Sequence, residues 1–83
     1  QYTEGAKKAY QEAMVEFEGH NWIEAQALLT EVKRKFGYSR YGRLAELRIA
    51  DADFEQEKYM EAIRGYRQFI HDHRTETEDI AYA

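Results

Sequence analysis

The sequence predicts an all-α protein in which helical hairpins stack side by side as a solenoid. The first observation is a repeated segment, because residues 13–32 and 50–69 align at an offset of 37 residues. The second is the spacing of apolar residues, which recur every three or four positions, as on one face of a helix. The third is the lack of proline and of alternating β-branched runs, so that no strand is predicted.

The two copies share an aromatic residue, a short turn, a second aromatic residue and then Glu-Ala at the start of an apolar helix. The matching pairs are Ala13 and Ala50, Phe17 and Phe54, Glu18 and Glu55, Trp22 and Tyr59, Glu24 and Glu61, Ala25 and Ala62, Leu29 and Tyr66, and Val32 and Phe69. A period of roughly 20 to 50 residues is typical of repeats that bury their apolar faces on one another. We predict one repeat over residues 3–37, a second over 39–74 and the start of a third over 76–83, in a fragment of a longer chain.

The first hairpin is predicted to contain helices over about residues 3–18 and 22–36. Gly19 is expected to take the left-handed position that ends the first helix, and Asn21 to cap the second. The apolar stripes that predict the two helices are Ala6, Tyr10, Ala13 and Phe17, followed by Trp22, Ala25, Leu29, Val32 and Phe36.

The second hairpin is predicted to contain helices over about residues 40–57 and 59–73, the first of them capped by Ser39. A fifth helix is expected to begin near Glu76, since Thr75 and Glu78 fit a capping box. A short solenoid without a polar capping helix leaves an apolar end uncovered. We therefore expect an exposed apolar surface near the fourth and fifth helices, and self-association through it.

Composition excludes several classes of function. The net charge is −4, and no basic face of the kind that nucleic-acid binding requires is visible. Cysteine is absent, which excludes disulfides and thiolate metal sites. No apolar run approaches the roughly 18 residues of a membrane-spanning helix.

Neither a metal site nor a catalytic site is predicted. The acidic residues of the run 51–57 alternate, and on a helix side chains at i and i+2 diverge, so they cannot converge on one ion. His71 and His73 have the same unsuitable spacing for zinc. Ser39, the single serine, lies in no nucleophile motif, and no Gly-rich phosphate loop occurs. We predict no cofactor and no enzymatic activity.

A binding surface is the remaining expectation. In stacked hairpins the first helix of each repeat lines the concave face, where extended peptides or partner helices bind. Packing between paired helices is the favoured interpretation for the two Phe candidates, and both interpretations stay open for the others. A groove that clamps a carboxylate needs several basic residues at defined concave positions, and since Lys7 is the only obvious candidate, this mode of binding is not supported. The candidates for peptide or protein binding are Tyr10, Met14, Phe17, Leu47, Asp51 and Phe54.

The repeated pattern resembles tetratricopeptide repeats, with a few residues added between the copies. Three stretches together resemble the outer-membrane assembly lipoprotein BamD (ComL) family: residues 9–14 (AYQEAM), 36–39 (FGYS) and 66–70 (YRQFI). The tail 79–83 (DIAYA) is similar to the start of that family's third repeat. The resemblance covers essentially the whole chain.

The resemblance implies a non-catalytic scaffold at the periplasmic face of the outer membrane, held by a lipid anchor outside this fragment. Its partners would be unfolded outer-membrane proteins, recognised at their C-terminal signal, and subunits of the β-barrel assembly machinery. Two alternatives stay open on the sequence. One is another periplasmic tetratricopeptide adaptor, linked to the Tol system or to peptidoglycan. The other is a helical accessory domain of an enzyme.

Overall fold

The computed structural model describes residues 1–74, which contain four α-helices and no strand. The helices are α1 (Tyr2–Glu18), α2 (Trp22–Lys35), α3 (Arg40–Glu55) and α4 (Tyr59–Asp72). The predicted all-α fold class is therefore confirmed, and each helix ends within two residues of its expected limit. The helix expected near Glu76 lies outside the described residues.

The helices form two antiparallel hairpins that pack side by side. Each helix packs on the next one along the chain, and α1 also contacts α3. The core therefore lies where α1, α2 and α3 meet, with Leu29 and Val32 as its largest fully buried side chains. Most of its other members are alanines, which allow the helix axes to approach closely. The buried core cluster consists of Ala6, Ala13, Leu29, Val32, Tyr41 and Ala45.

The turn inside the first hairpin differs from the prediction in one respect. Gly19 has φ −80°, and the left-handed residue is His20, with φ 61°. The N–H groups of His20 and Asn21 donate to the carbonyl oxygens of Phe17 (3.0 Å) and Glu16 (2.9 Å), which is a Schellman motif. α1 thus ends at Glu18 as expected, but the left-handed residue follows one position later than the glycine indicated, because the bonds of the motif decide which residue takes that conformation.

Asn21 stands at the start of α2, but its side chain does not cap that helix. Its amide instead donates to Glu16 Oε2 at 2.8 Å, which ties the turn back to α1. The prediction of a side-chain cap by Asn21 was therefore wrong. In the second hairpin Lys58 occupies the equivalent position, also without a capping side-chain bond.

The connection between the hairpins is held by Ser39. Its hydroxyl accepts a bond from the Gly42 N–H at 3.1 Å and donates to the Phe36 carbonyl at 2.7 Å. Ser39 therefore caps α3 as expected. A side chain at position 42 would clash with the backbone of Phe36 and Gly37, so only glycine allows this close approach.

A cluster of polar groups joins the first hairpin to the second. The Gln26 amide on α2 donates to the Ile49 carbonyl at 3.0 Å and to Asp53 Oδ1 at 2.8 Å, both on α3. The Gln56 amide in turn donates to Gln26 Oε1 at 3.2 Å. Bonds of this kind have directional requirements, so they fix the register between α2 and α3 as well as their distance.

Candidate functional site

The first helices of the two hairpins, α1 and α3, contact each other, and the side chains along this contact give a surface to which both helices contribute. Two contacts establish this juxtaposition: Arg48 of α3 bonds to Tyr10 of α1, and the Tyr10 ring lies 5.7 Å from the ring of Tyr41. We call this surface the α1–α3 face. It is defined by Tyr10, Met14, Phe17, Leu47, Arg48, Asp51 and Phe54.

Arg48 occupies the centre of the α1–α3 face. Its Nε donates to Tyr10 Oη at 3.3 Å, and its Nη1 donates to Asp51 Oδ2 at 3.1 Å. The guanidinium also lies over the Phe17 ring, 5.9 Å from its centroid, a distance typical of a cation–π contact. Arg48 therefore joins three of the predicted candidates, one of them on its own helix and two on α1.

Asp51 extends this network to the fourth helix. Its second oxygen, Oδ1, accepts a hydrogen bond from Tyr66 Oη on α4. Burial, and then the bond to Asp51, raise the pKa of Tyr66 to about 12. The hydrogen bond to Tyr10, and then that to Asp51, raise the pKa of Arg48 above its ordinary value. At neutral pH Tyr66 is therefore a hydrogen-bond donor and Arg48 a permanent cation.

The aromatic candidates lie at the hairpin turns. Phe17 meets Trp22 edge to face, with ring centroids 4.9 Å apart, and Phe54 meets Tyr59 in the same way at 5.3 Å. Packing within each hairpin is therefore their first role, although Phe54 stays 53% exposed. That exposure leaves part of its ring available to a ligand.

The remaining two candidates, Met14 and Leu47, are both partly buried. Met14 packs partly buried against the core cluster. Leu47 is half-buried and precedes Arg48 in α3. The contacts of Arg48 therefore bring Tyr10, Phe17 and Asp51 together, whereas Met14, Leu47 and Phe54 are not among them.

Arg48 is the member of the face that the sequence analysis did not single out. Its spacing of three residues before Asp51 fits an i,i+3 ion pair on a helix, and this was the available signal. Nothing in the local sequence points to its partner Tyr10, which lies 38 residues away. Lys7, the cation that the sequence did suggest, is exposed near the start of α1.

The alternating carboxylates of α3 point to different neighbours. Asp51 belongs to the α1–α3 face and accepts a hydrogen bond from Tyr66, whereas Asp53 accepts one from Gln26 of α2. The two side chains therefore belong to separate polar clusters, one on the α1–α3 face and one at the junction between the hairpins. This divergence is what the 3.6-residue period of a helix requires of positions i and i+2.

A pocket lies away from the candidate residues, where the C-terminal ends of α2 and α4 approach the start of α3. It is an open pocket of about 400 Å³. Its wall includes Glu46, which is buried. Glu46 Oε2 lies 3.7 Å from Lys33 Nζ, and Glu46 Oε1 lies 3.1 Å from His73 Nε2. Its Oε2 accepts no hydrogen bond among the described residues. None of the six predicted site residues lines this pocket.

Among residues 1–74, no helix combines the length and the apolar character needed to cross a membrane. The stacked hairpins and the surface between their first helices define the class of protein: a tetratricopeptide-like helical-repeat protein. The family model described as "YfiO: Outer membrane lipoprotein" matches residues 3–83, so the chain belongs to this family. The resemblance to BamD-like lipoproteins is thereby confirmed. No curated protein and no solved structure matches the chain.

Proposed function

We propose that the chain is a non-catalytic scaffold of outer-membrane protein assembly, and that its α1–α3 face binds an extended peptide or a partner helix. Membership of an outer-membrane lipoprotein family supports a place in the cell envelope. It also favours the assembly role over the other periplasmic adaptors and over the enzyme accessory domain. A lipid anchor outside the given sequence would hold the protein at the periplasmic face of the outer membrane.

The observation that carries the proposal is the Arg48 network on the α1–α3 face. The network fixes the Arg48 guanidinium and the Tyr10 hydroxyl between α1 and α3, with aromatic rings around them. Such a surface offers a ligand both apolar contact and hydrogen bonds in a rigid frame. Rigid groups lose little entropy on binding, which favours affinity.

The ligand that best fits this surface is a peptide with aromatic side chains. Aromatic and methionine side chains adapt to varied apolar partners, and Met14, Phe17 and Phe54 provide three of them. Unfolded barrel proteins and subunits of the assembly machinery are the partners that the family resemblance implies. Self-association through α4 stays a separate prediction, and Tyr59, Met60, Ile63 and Ile70 are its exposed apolar residues.

Titration of the intact protein with a peptide that ends in an aromatic residue tests the proposal. Tyr10→Ala and Met14→Ala are each expected to weaken binding by roughly tenfold, which corresponds to about 1.4 kcal/mol. Val15→Ala is the matched control, because Val15 is 69% exposed on the same helix but outside the α1–α3 face. Circular dichroism checks that helicity is unchanged. No binding at about millimolar peptide, or equal losses in all three variants, would argue against the proposal.

A further inference from the structure

A cluster of cations lies where α2 ends and α3 begins. Five basic residues and no acidic one occur between positions 32 and 45, although the whole chain has a net charge of −4. The side chains of the three basic residues on α2 are at least half exposed. Together with the loop residue between the helices, these cations form a surface that we call the basic corner. It is defined by Lys33, Arg34, Lys35, Tyr38, Arg40 and Arg43.

The helix dipole explains only part of this cluster. The three cations of α2 lie in its last turn, where they offset the negative end of the dipole. Arg40 and Arg43, in contrast, lie in the first turn of α3, where the dipole favours acidic residues. α1, α2 and α4 each have a glutamate in their first turn, and α3 has none. The stability of α3 therefore does not account for the two arginines at its start.

The acidic neighbours of the basic corner neutralise it only in part. Glu31 Oε1 lies 2.9 Å from Arg34 Nη2 and 3.9 Å from Lys35 Nζ, so two cations share one carboxylate. Exposed pairs of this kind are weak, and they leave both cations accessible to another anion. Residues 31–46 contain five cations and two glutamates, so this part of the chain keeps a net positive charge.

Tyr38 lies in the middle of the basic corner and is 98% exposed. Tyr2, at the start of α1, lies at the same end of the molecule, because its ring meets the Phe36 ring at 5.3 Å. A tyrosine ring combines an apolar body with a polar hydroxyl, which suits the boundary between a membrane and water. Basic side chains beside such a ring are attracted to anionic lipid headgroups.

We propose that the basic corner docks on an anionic membrane surface, with Tyr38 in the headgroup region. The inference goes beyond the proposed function, since the basic corner shares no residue with the α1–α3 face. Membership of an outer-membrane lipoprotein family favours a membrane over an acidic protein as the partner. The hairpin turns at 19–21 and 56–58 lie at the opposite ends of the helices, so docking leaves the α1–α3 face open to a ligand.

The pocket beside the basic corner favours attraction by the whole surface over a site for a single phosphate group. Its wall contains Glu46 and Asp72 as well as Lys33 and Arg34, so an anion inside it would meet two carboxylates. Docking should therefore depend on the charge of the lipid and not on the identity of its headgroup. It should also weaken as salt screens the charges, because the Debye length is only about 3 Å at about 1 M salt.

Cosedimentation with lipid vesicles tests this inference, with the protein prepared without a lipid anchor. It is expected to bind vesicles that contain phosphatidylglycerol in phosphatidylcholine, but not vesicles of phosphatidylcholine alone. Arg34→Gln combined with Lys35→Gln should weaken this binding by roughly 25-fold, since each cation near an anionic surface contributes about fivefold. Tyr38→Ala should weaken it less, without a loss of helicity, because its side chain is almost fully exposed.

Lys58→Gln combined with Arg64→Gln is the matched control, because it removes two exposed cations outside the basic corner. We expect this variant to bind anionic vesicles as the unchanged protein does. Equal losses in the two double variants, or equal binding to vesicles with and without phosphatidylglycerol, would overturn the inference. Binding to polyglutamate but not to anionic vesicles would also overturn it, and would identify an acidic protein as the partner.

Two further measurements separate this inference from its neighbours. Inorganic phosphate at constant ionic strength is expected to leave vesicle binding unchanged, and displacement by phosphate would show a discrete anion site in place of a docking surface. Peptide titration of the variant with Arg34→Gln and Lys35→Gln should match that of the unchanged protein. The failure of membrane docking would therefore leave the proposed function of the α1–α3 face standing.

Discussion

The two hairpins have turns of the same type, but their helices are buried to different extents. His20 and Glu57, 37 residues apart, are the two non-glycine residues with positive φ among residues 1–74, at 61° and 62°. The backbone bonds around them are the same, and an edge-to-face aromatic pair spans each turn. The repeated sequence therefore specifies the local structure of each hairpin.

Burial, in contrast, depends on the neighbouring helix. Leu29 of α2 is fully buried, since α3 packs on it, whereas its counterpart Tyr66 of α4 is only half-buried. Gln26 of α2 bonds to α3, but its counterpart Ile63 is 43% exposed. No other described helix covers this side of α4. The same position in a repeat therefore has a different energetic weight in each hairpin.

Truncation of a core residue is expected to have the largest effect. Leu29→Ala should lower the free energy of unfolding by about 2–5 kcal/mol, because it removes buried methyl groups and leaves a cavity. Ile63→Ala, in the less covered hairpin, should cost less than about 1 kcal/mol, since much of its side chain is already in water. Urea unfolding measures both values. Equal losses would show that the second hairpin is buried as deeply as the first.

Alanine substitutions at two glycines are expected to have smaller effects on stability, with signs opposite to each other. A Cβ at Gly65 would lie 2.9 Å from Ala50 Cβ, so Gly65→Ala forces α4 away from α3. Overpacking destabilises by about 1–3 kcal/mol, whereas the higher helix propensity of alanine stabilises by up to ~1 kcal/mol. We therefore expect net destabilisation by roughly 1 kcal/mol. At Gly5 the added Cβ meets Phe36 at an ordinary 3.4 Å. Gly5→Ala should therefore stabilise the fold, and thermal unfolding distinguishes the two signs.

The turn residues give the smallest effect. A non-glycine residue in the left-handed region costs roughly 1–2 kcal/mol. Glycine removes this strain, but its greater freedom in the unfolded chain cancels part of the gain. Glu57→Gly should therefore raise the free energy of unfolding by about 0.5 kcal/mol. His20→Gly should gain less, because the His20 ring stacks on Trp22 at 5.1 Å. A larger gain at His20 than at Glu57 would contradict this account of the turns.

Local features of the fold were predictable from the sequence. Apolar spacing places all four described helices to within two residues, and Ser39 is recognisable as a cap because its pattern is local. The position of the left-handed residue was wrong by one, at Gly19 instead of His20, since the backbone bonds of the motif decide it. A glycine near a helix end indicates the turn but does not fix its register.

Contacts between the hairpins were not predictable in the same way. Arg48 reaches Tyr10 across 38 positions of sequence, and Gln26 reaches Asp53 across 27. Neither pairing has a periodic signal, because each depends on how α1, α2 and α3 pack. The six predicted site residues were chosen by helix face alone, and their role in binding stays a proposal. The cation that organises three of them became visible only in the folded chain.

The most direct test of the account is a map of the peptide-binding surface by amide chemical shifts of the intact protein. Titration with a peptide that ends in an aromatic residue is expected to shift the signals of Tyr10, Arg48 and Asp51. The exposed residues Val15 and Ile23, outside the α1–α3 face, should stay unchanged. Shifts confined to α2 and α4, with α1 and α3 unaffected, would contradict the assignment of the α1–α3 face as the binding site.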